Sequence, residues 1–307
     1  MKILLLGKNG QVGQALERAL APLAGPGELL ALDRSNGGDL TQLDSLAAMV
    51  RQLRPQVIVN AAAYTAVDKA EAEPDQARLV NALAPELLAK EAQALGAWLV
   101  HYSTDYVFDG SGTRPWLETD APAPLNVYGQ TKLEGERQIQ THCTRHLILR
   151  TSWVYAAHGS NFAKTMLKLA QERERLTVID DQWGAPTGAE LLAAVTAAAI
   201  RQVGIVEKEA LAGLYHLAAS GETTWYAYAS QVISQAKALR PDLPWAVQEI
   251  APVPSSAFVT AALRPHNSRL DTAKLQAAFG INLPDWRQGV DEMLAQVLTS
   301  TPSKETS

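Results

Sequence analysis

The first twenty residues of the chain combine an apolar strand pattern, a glycine-rich turn and a helical pattern. Residues 2–6 have strand length and are mainly apolar. The turn that follows consists of Gly7, Lys8, Asn9, Gly10, Gln11, Val12 and Gly13. Apolar residues then recur at helical spacing from residue 15 to residue 20. Glycines at such a turn let the backbone approach a diphosphate, and the helix N-terminus offers free N–H groups to it. The opening therefore predicts a dinucleotide site at the start of a Rossmann-type α/β fold.

The second predicted strand carries the next part of this site. It spans residues 28–32 and ends in Asp33, which lies twenty residues after Gly13. An acid at this spacing typically binds the ribose hydroxyls of the adenosine in NADH. Arg34 follows directly and suits the 2′-phosphate of NADPH, or is simply a solvated surface charge. NADH and NADPH therefore both fit the sequence. Residues 38–40 are expected either to pass under the adenine or to form a plain turn.

The alternation of strand and helix patterns continues and predicts the fold class. Apolar segments at residues 56–60, 96–102 and 145–150 alternate with helical patterns. We therefore expect a doubly wound, open parallel sheet with right-handed crossovers, with a smaller C-terminal substrate-binding domain. The third strand ends in residues 61–63, three alanines that would let a flat ligand lie against the backbone. Close packing of a helix on the sheet would explain the same alanines.

Beyond residue 152 the regular alternation weakens. Short strands are predicted at residues 176–179, 215–218 and 245–250, with an alanine-rich helix from Ala189 and two helices at the end of the chain. We expect residues 1–152 to form a dinucleotide-binding domain to whose sheet later segments also contribute. Residues 153–299 are then mainly a substrate-binding domain, interleaved with the first, and residues 300–307 are a polar, frayed tail.

Three polar residues indicate the chemistry. Tyr128 and Lys132 are four residues apart in a predicted helix, so their side chains share one face. A tyrosine is a weak acid with an ordinary pKa of about 10, and a nearby ammonium stabilises its phenolate. Thr104 stands at the carboxyl end of the fourth predicted strand, where ligands bind in such sheets, and its hydroxyl can bind the substrate oxygen. Each residue also has a plain alternative, a surface helix pair for Tyr128 and Lys132 and a local backbone cap for Thr104. Their order after a nucleotide motif favours a reductase.

The residues also resemble a known family. The matching segments are residues 7–13, 59–63, 101–108, 126–132, 150–155, 161–163, 181–187 and 264–265. Together these segments resemble the extended short-chain dehydrogenase/reductases, and among them the dTDP-4-dehydrorhamnose reductases. The resemblance implies reduction of the C4 ketone of dTDP-4-dehydro-L-rhamnose by NADPH or NADH, the last step in making dTDP-L-rhamnose for cell-surface polysaccharide such as O-antigen. It also implies a cytoplasmic enzyme, with a homodimer as an open option.

The same resemblance assigns roles to individual residues. Tyr128 is expected to give its proton to the ketone, Lys132 to lower the pKa of Tyr128 and hold the nicotinamide ribose, and Thr104 to tune the phenol. The expected cofactor-binding residues are Gly7, Gly10, Gln11, Val12, Gly13, Asp33, Arg34, Asp39, Leu40, Ala61, Ala62, Ala63, Tyr102, Tyr128 and Lys132. The expected substrate-binding residues are Thr65, Val67, Thr104, Asp105, Tyr128 and Trp153.

A metal is the weakest expectation. Members of the family that dimerise through magnesium use carboxylates, and Glu190 and Glu292 stand at suitable places. Ala15 occupies a position where a further carboxylate would be expected, so magnesium, which prefers hard oxygen ligands, has lost one ligand here. The single cysteine, Cys143, excludes an internal disulfide and fits a reducing cytoplasm; with its neighbouring histidines it is interpreted as a helix end rather than a zinc site.

Other functions are weighed against the reductase. A nucleotide-sugar 4,6-dehydratase needs an Asp-Glu pair after the strand-end threonine, whereas this chain has Asp105 and Tyr106. An epimerase would use the same Tyr128 and Lys132 with a retained cofactor. A non-catalytic dinucleotide-binding subunit, like the methionine adenosyltransferase β subunit, would not need those residues.

The charge balance argues against two further classes of partner. A net charge of −5 and the lack of a Lys/Arg cluster make nucleic acid an unlikely ligand. The apolar opening segment is too short to span a bilayer.

Overall fold

The computed structural model describes residues 1–205 and 209–299. The strands are β1 (Ile3–Leu6), β2 (Leu29–Leu32), β3 (Val57–Asn60), β4 (Trp98–Thr104), β5 (His146–Thr151), β6 (Val154–Tyr155), β7 (Arg175–Ile179), β8 (Trp183–Gly184), β9 (Thr187–Gly188), β10 (Gly213–His216), β11 (Thr223–Thr224) and β12 (Glu249–Val253). The helices are α1 (Gln11–Leu20), α2 (Leu43–Leu53), α3 (Val67–Ala72), α4 (Pro74–Arg78), α5 (Ala84–Leu95), α6 (Val127–His142), α7 (Phe162–Glu172), α8 (Ala189–Ile205), α9 (Trp225–Leu239), α10 (Ala273–Phe279) and α11 (Trp286–Thr299).

Six parallel strands form the main sheet in the order β10-β5-β4-β3-β1-β2. The predicted Rossmann-type fold class is confirmed. The chain order reverses between β1 and β3, and ligands of such sheets bind beyond the carboxyl ends of the strands at this reversal. Leu6, Asn60 and His101 are in register across β1, β3 and β4. Strand β4 continues three residues further and still pairs with β5, so Thr104 stands beyond the ends of β1 and β3.

The strand sequences explain why helices cover both faces of this sheet. All four residues of β1 are fully buried, as expected for a central parallel strand. Because side chains alternate across a strand, Ile3 and Leu5 pack in a core with α1 and α8, whereas Leu4 and Leu6 pack in a second core with α2 and α5.

The later segments form smaller units beside the sheet. Helices α7, α9 and α11 enclose an aromatic core that includes Tyr228 and Trp286, and three two-stranded pairs, β7 with β12, β6 with β9 and β8 with β11, lie among them. Strand β10 pairs with β5 in the main sheet, so the later part of the chain does add to the first layer. The domain boundaries themselves stay a prediction, and the tail at residues 300–307 lies outside the described residues.

One predicted strand is displaced in the structure. The sequence predicts it at residues 245–250, whereas β12 begins only at Glu249, because the backbone N–H groups of Ala246 and Val247 donate to the Ala170 carbonyl rather than to a neighbouring strand. Helices α4 and α5 are separated by a π-helical turn at Leu79–Leu83. In the described part of the chain, no helix is long and apolar enough to cross a membrane.

Candidate active site

A cleft of about 540 Å³ opens at the carboxyl ends of β1, β3 and β4. It lies at the reversal of strand order, where the sheet topology places a ligand. Of the predicted cofactor and substrate residues, all but Gly13 line it. Gly7 and Val154, which are 147 residues apart in the sequence, therefore line one cleft.

The glycines of the first turn are required by close backbone contacts. Gly7 has a φ of +88°, and a Cβ on it would lie 2.7 Å from the Ala62 nitrogen. A Cβ on Gly13 would lie 2.0 Å from the Gly7 carbonyl oxygen. Gly13 thus packs α1 against the turn, and the backbone of the turn is left open towards the cleft. A diphosphate can bind against the backbone of this turn, because side chains at the glycine positions would occupy the space it needs.

The acid predicted at the end of β2 is held at one end of the cleft. The carboxylate of Asp33 accepts hydrogen bonds from the Ser35 N–H at 2.7 Å and from the Asn9 amide at 2.5 Å. Hydrogen bonding by Ser35 is the main cause that lowers the pKa of Asp33 below its ordinary value. Arg34 is exposed, and its guanidinium lies 3.8 Å from Asp39. Both residues that would distinguish NADH from NADPH therefore line the same end of the cleft.

Lys132 is buried at the other end of the cleft. Its Nζ donates to the Tyr102 carbonyl at 2.5 Å and contacts Nε2 of His101 at 3.1 Å. Since an ammonium has three N–H donors, these two partners leave one for the cleft. Burial lowers the pKa of Lys132 to about 8, and the carboxylate of Glu136 acts in the opposite direction. The ammonium is thus fixed in direction by the protein.

Tyr128 lies one helical turn before Lys132, and its side chain lines the cleft together with Thr104. Burial raises the pKa of Tyr128 to about 12, while the Thr104 hydroxyl acts to lower it. In the free protein burial therefore outweighs any lowering of this pKa, so the phenol is protonated at neutral pH. A protonated phenol is the form that reduction of a ketone needs.

Asp105 follows Thr104 and is almost completely buried, with 2% of its surface exposed. It accepts a hydrogen bond from the Thr104 hydroxyl at 3.1 Å. Its other oxygen, Oδ2, has no hydrogen-bond partner among the described residues. Burial raises the pKa of Asp105 to about 6. The carboxyl group is therefore a strong acceptor beside the phenol.

The side of the cleft assigned to the sugar nucleotide is built around Trp153. Trp153 has a φ of +48°, a left-handed conformation that is strained for a residue other than glycine. Its ring stacks on Trp225 with centroids 3.6 Å apart. A Cβ on Gly184 would lie 2.7 Å from the Trp153 ring, so only glycine fits there. Thr65 and Val67 line the same cleft.

Sequence reasoning missed residues that act on the site from outside it. His101, Trp225 and Glu136 support Lys132 or Trp153 but lie in ordinary strand and helix patterns. The alternation of side chains along a strand could have indicated that His101 and Ser103 share one face of β4, the face that α6 and Lys132 cover. Trp225 follows Trp153 by more than seventy residues, and no spacing rule connects them.

Comparisons with known proteins identify the family and agree with the fold. Residues 1–299 match the family model described as the RmlD substrate binding domain. The dTDP-4-dehydrorhamnose reductase of Escherichia coli (strain K12) is 57% identical over 98% of this chain and 99% of its own length. A crystal structure of the same enzyme from Bacillus anthracis str. Ames, in complex with NADP, superposes with a TM-score of 0.84 at 33% identity, covering 96% of this chain and 100% of that one. An ortholog from Clostridium acetobutylicum superposes with a TM-score of 0.85 at 34% identity, covering 96% of this chain and 99% of that one.

The chain belongs to the dTDP-4-dehydrorhamnose reductase family. The resemblance that the sequence motifs indicated is therefore confirmed.

The magnesium site considered for this family does not fit the residues present here. Glu190 pairs with the guanidinium of Arg18, and Glu292 accepts a hydrogen bond from Gln288 at 3.1 Å. Ala15 is fully buried and supplies no oxygen. Within residues 1–205 and 209–299, no group of three or more His, Cys, Asp or Glu side chains is placed to hold a metal ion. Cys143 ends α6, and its carbonyl contacts the His146 ring at 2.6 Å, as expected for a helix end.

Proposed function

We propose that this protein is an NAD(P)H-dependent reductase that converts the C4 ketone of dTDP-4-dehydro-L-rhamnose into the hydroxyl of dTDP-L-rhamnose, the last step of dTDP-L-rhamnose synthesis. The single observation that carries the proposal is that Thr104, Tyr128 and Lys132 line the same cleft as the glycine turn at Gly7 and Gly10. Family membership supports the same substrate.

Each of these residues has a role that its surroundings support. A bound nicotinamide dinucleotide would supply the hydride. Tyr128, protonated because burial raises the pKa of its phenol to about 12, gives its proton to the ketone oxygen. The Thr104 hydroxyl, which acts to lower the pKa of the phenol, stabilises charge as it develops on the substrate oxygen. Lys132 directs its remaining N–H towards the cleft, where it binds the nicotinamide ribose. Its positive charge stabilises the phenolate that forms when Tyr128 gives up its proton.

The binding residues follow from the two ends of the cleft. We assign the diphosphate to the turn around Gly10, Gln11 and Val12, and the adenosine ribose to Asp33. The three alanines after β3 line the cleft between them. Thr65, Val67, Asp105 and Trp153 are assigned to the sugar nucleotide. A homodimer stays a prediction.

The test is oxidation of NADPH, with NADH in parallel, by freshly generated dTDP-4-dehydro-L-rhamnose, followed by loss of absorbance and by identification of the product. Tyr128→Phe is the matched variant, because it removes only the hydroxyl. We expect the wild type to consume one cofactor for each sugar reduced. In Tyr128→Phe, kcat should fall by roughly 10²- to 10⁴-fold while NADPH still binds.

Three results would contradict the proposal or the role it gives Tyr128. Binding of NADPH without turnover of either cofactor would favour a non-catalytic dinucleotide-binding subunit. A change in the sugar without net cofactor oxidation would indicate an epimerase. Turnover by Tyr128→Phe at the wild-type rate would remove Tyr128 from its assigned role.

A further inference from the structure

A buried ion pair lies directly behind the proposed catalytic residues. The carboxylate of Glu136 and the guanidinium of Arg150 pair in a bidentate manner, with Nε to Oε1 at 2.8 Å and Nη2 to Oε2 at 2.6 Å. The hydroxyl of Ser103 donates to Oε1 at 2.5 Å. Glu136 is 1% exposed, Arg150 3% and Ser103 4%. Neither Glu136 nor Arg150 lines the cleft.

The three members connect the elements that carry the site. Glu136 lies four residues after Lys132 and eight after Tyr128, so all three share one face of α6. Ser103 lies between Tyr102, whose carbonyl binds Lys132, and Thr104, which lines the cleft together with Tyr128. His101 and Ser103 lie on one face of β4, and they contact Lys132 and Glu136 respectively, on consecutive turns of α6.

A purely structural account of this arrangement is weak on energetic grounds. Removing two charges from water is unfavourable, and replacing a buried ion pair by apolar side chains is often neutral or stabilising. The same elements are already joined by apolar contacts, for example those of Ile139 and Ile148 in the core on that face. A charged pair at this place therefore suggests a task that apolar packing cannot perform.

We propose that Glu136, held by Arg150 and Ser103, is a positioning residue that aligns the Tyr128 and Lys132 face of α6 with the end of β4 and keeps Lys132 charged during reduction. This inference rests on the proposed function and adds a residue to it that touches neither substrate nor cofactor.

The charges around Lys132 fix the sign of the expected effect. Lys132 faces His101 of β4. Burial lowers the pKa of His101 well below its ordinary value, so this imidazole is neutral. On α6 Lys132 is flanked by the neutral phenol of Tyr128 and by the carboxylate of Glu136, which raises its pKa against the effect of burial. Loss of the carboxylate should therefore lower the pKa of Lys132, so the ammonium would be lost at a lower pH.

The experiment is the pH profile of kcat with saturating NADPH and substrate, for wild type, Glu136→Gln and Glu136→Asp. We expect the alkaline limb of Glu136→Gln to move to lower pH by roughly one unit, with KM little changed. Glu136→Asp keeps the charge and should keep the limb near its wild-type position. Glu134→Gln is the matched control, because Glu134 lies in the same helix but pairs with Arg78 at the surface.

Reduced stability alone is not support, since Glu136→Gln leaves Arg150 without its partner. If Glu136→Gln folds and the alkaline limb of its kcat profile lies at the wild-type pH, the inference is overturned, whatever the melting temperature of the variant. If that variant does not fold, Glu136→Gln with Arg150→Gln replaces it, and the same two outcomes apply.

Ser103→Ala keeps both charges. We expect its kcat to fall several-fold while the alkaline limb does not move, and a wild-type kcat would overturn the aligning role. Turnover by the wild type tests the proposed function separately, so failure of one is distinguishable from failure of the other.

Discussion

At the scale of single residues, burial sets the protonation of the site more strongly than any neighbouring charge. Burial is the largest cause of the pKa shift for Tyr128, Lys132 and Asp105 alike. It acts against the charged form in each case, so the phenol and the carboxyl hold their protons more firmly and the ammonium less firmly. Tyr128 therefore keeps its proton at neutral pH, which is the form that reduction of a ketone needs.

The raised pKa of Asp105 gives a prediction for stability. Because this pKa is about 6 in the folded protein and 3.8 ordinarily, Asp105 favours folding at low pH, and this contribution is lost as the pH rises through about 6. Asp105→Asn carries no such penalty. We expect its free energy of unfolding, relative to wild type, to rise by about 2 to 3 kcal/mol between pH 4 and pH 8.

Urea unfolding at both pH values would measure this difference. Asp44→Asn, on the exposed first turn of α2, is the control for general effects of pH. A relative stability of Asp105→Asn that does not change with pH would show that burial does not raise the pKa of Asp105.

At the scale of elements, α6 carries the chemistry because its start is fixed on both sides. The Asn126 side chain caps the helix by accepting a hydrogen bond from the Gly129 N–H at 2.8 Å, and its amide donates to the Leu263 carbonyl at 2.7 Å. Gly129 lets the helix approach the turn after β4 very closely, since a Cβ on it would lie 2.1 Å from the Tyr106 carbonyl oxygen. The distance between Thr104 and Tyr128 depends on that approach.

Gly129→Ala tests the role of this close approach. The added methyl group meets backbone rather than a flexible side chain, so α6 must move away from β4. We expect kcat to fall more than about tenfold, in line with the effect of small misplacements on catalysis, while the circular dichroism spectrum stays helical. Gly204→Ala in α8 is the control, because its Cβ would meet only the flexible end of Met1 at 3.2 Å. Wild-type kcat in Gly129→Ala would show that the site tolerates the displacement.

At the scale of the whole molecule, one reversal of strand order gathers the site. Strands β1, β3 and β4 end side by side, and the later segments close the cleft with Trp153. A second pocket, which contains Glu190 and Glu292, is lined separately by α8 and α11. The carboxylates considered for magnesium are thus away from the reaction.

This arrangement predicts that a metal chelator has no effect. Arg18 already pairs with Glu190, so its positive charge replaces that of a cation at this carboxylate. After dialysis against EDTA, kcat and the molecular mass in solution should both be unchanged. A loss of either that added Mg²⁺ restores would show that the protein binds the metal in spite of Ala15.

The sequence by itself determined the local elements and most of the cleft. The roles of Gly7, Gly13, Asp33, Tyr128 and Lys132 were predicted from rules of backbone geometry and helix periodicity. These rules act over short stretches of chain. These stretches predicted the parallel sheet, and the comparisons confirmed the family that the motifs resembled.

Only the tertiary structure decided how the predicted residues are supported. The pairs Trp153–Trp225, Lys132–His101 and Glu136–Arg150 join residues on different elements, so no local period contains them. The pKa shifts likewise depend on burial, which packing of the whole chain produces. The sequence therefore named the groups that react, whereas the fold decided their protonation and direction, because both depend on what lies around a side chain in space.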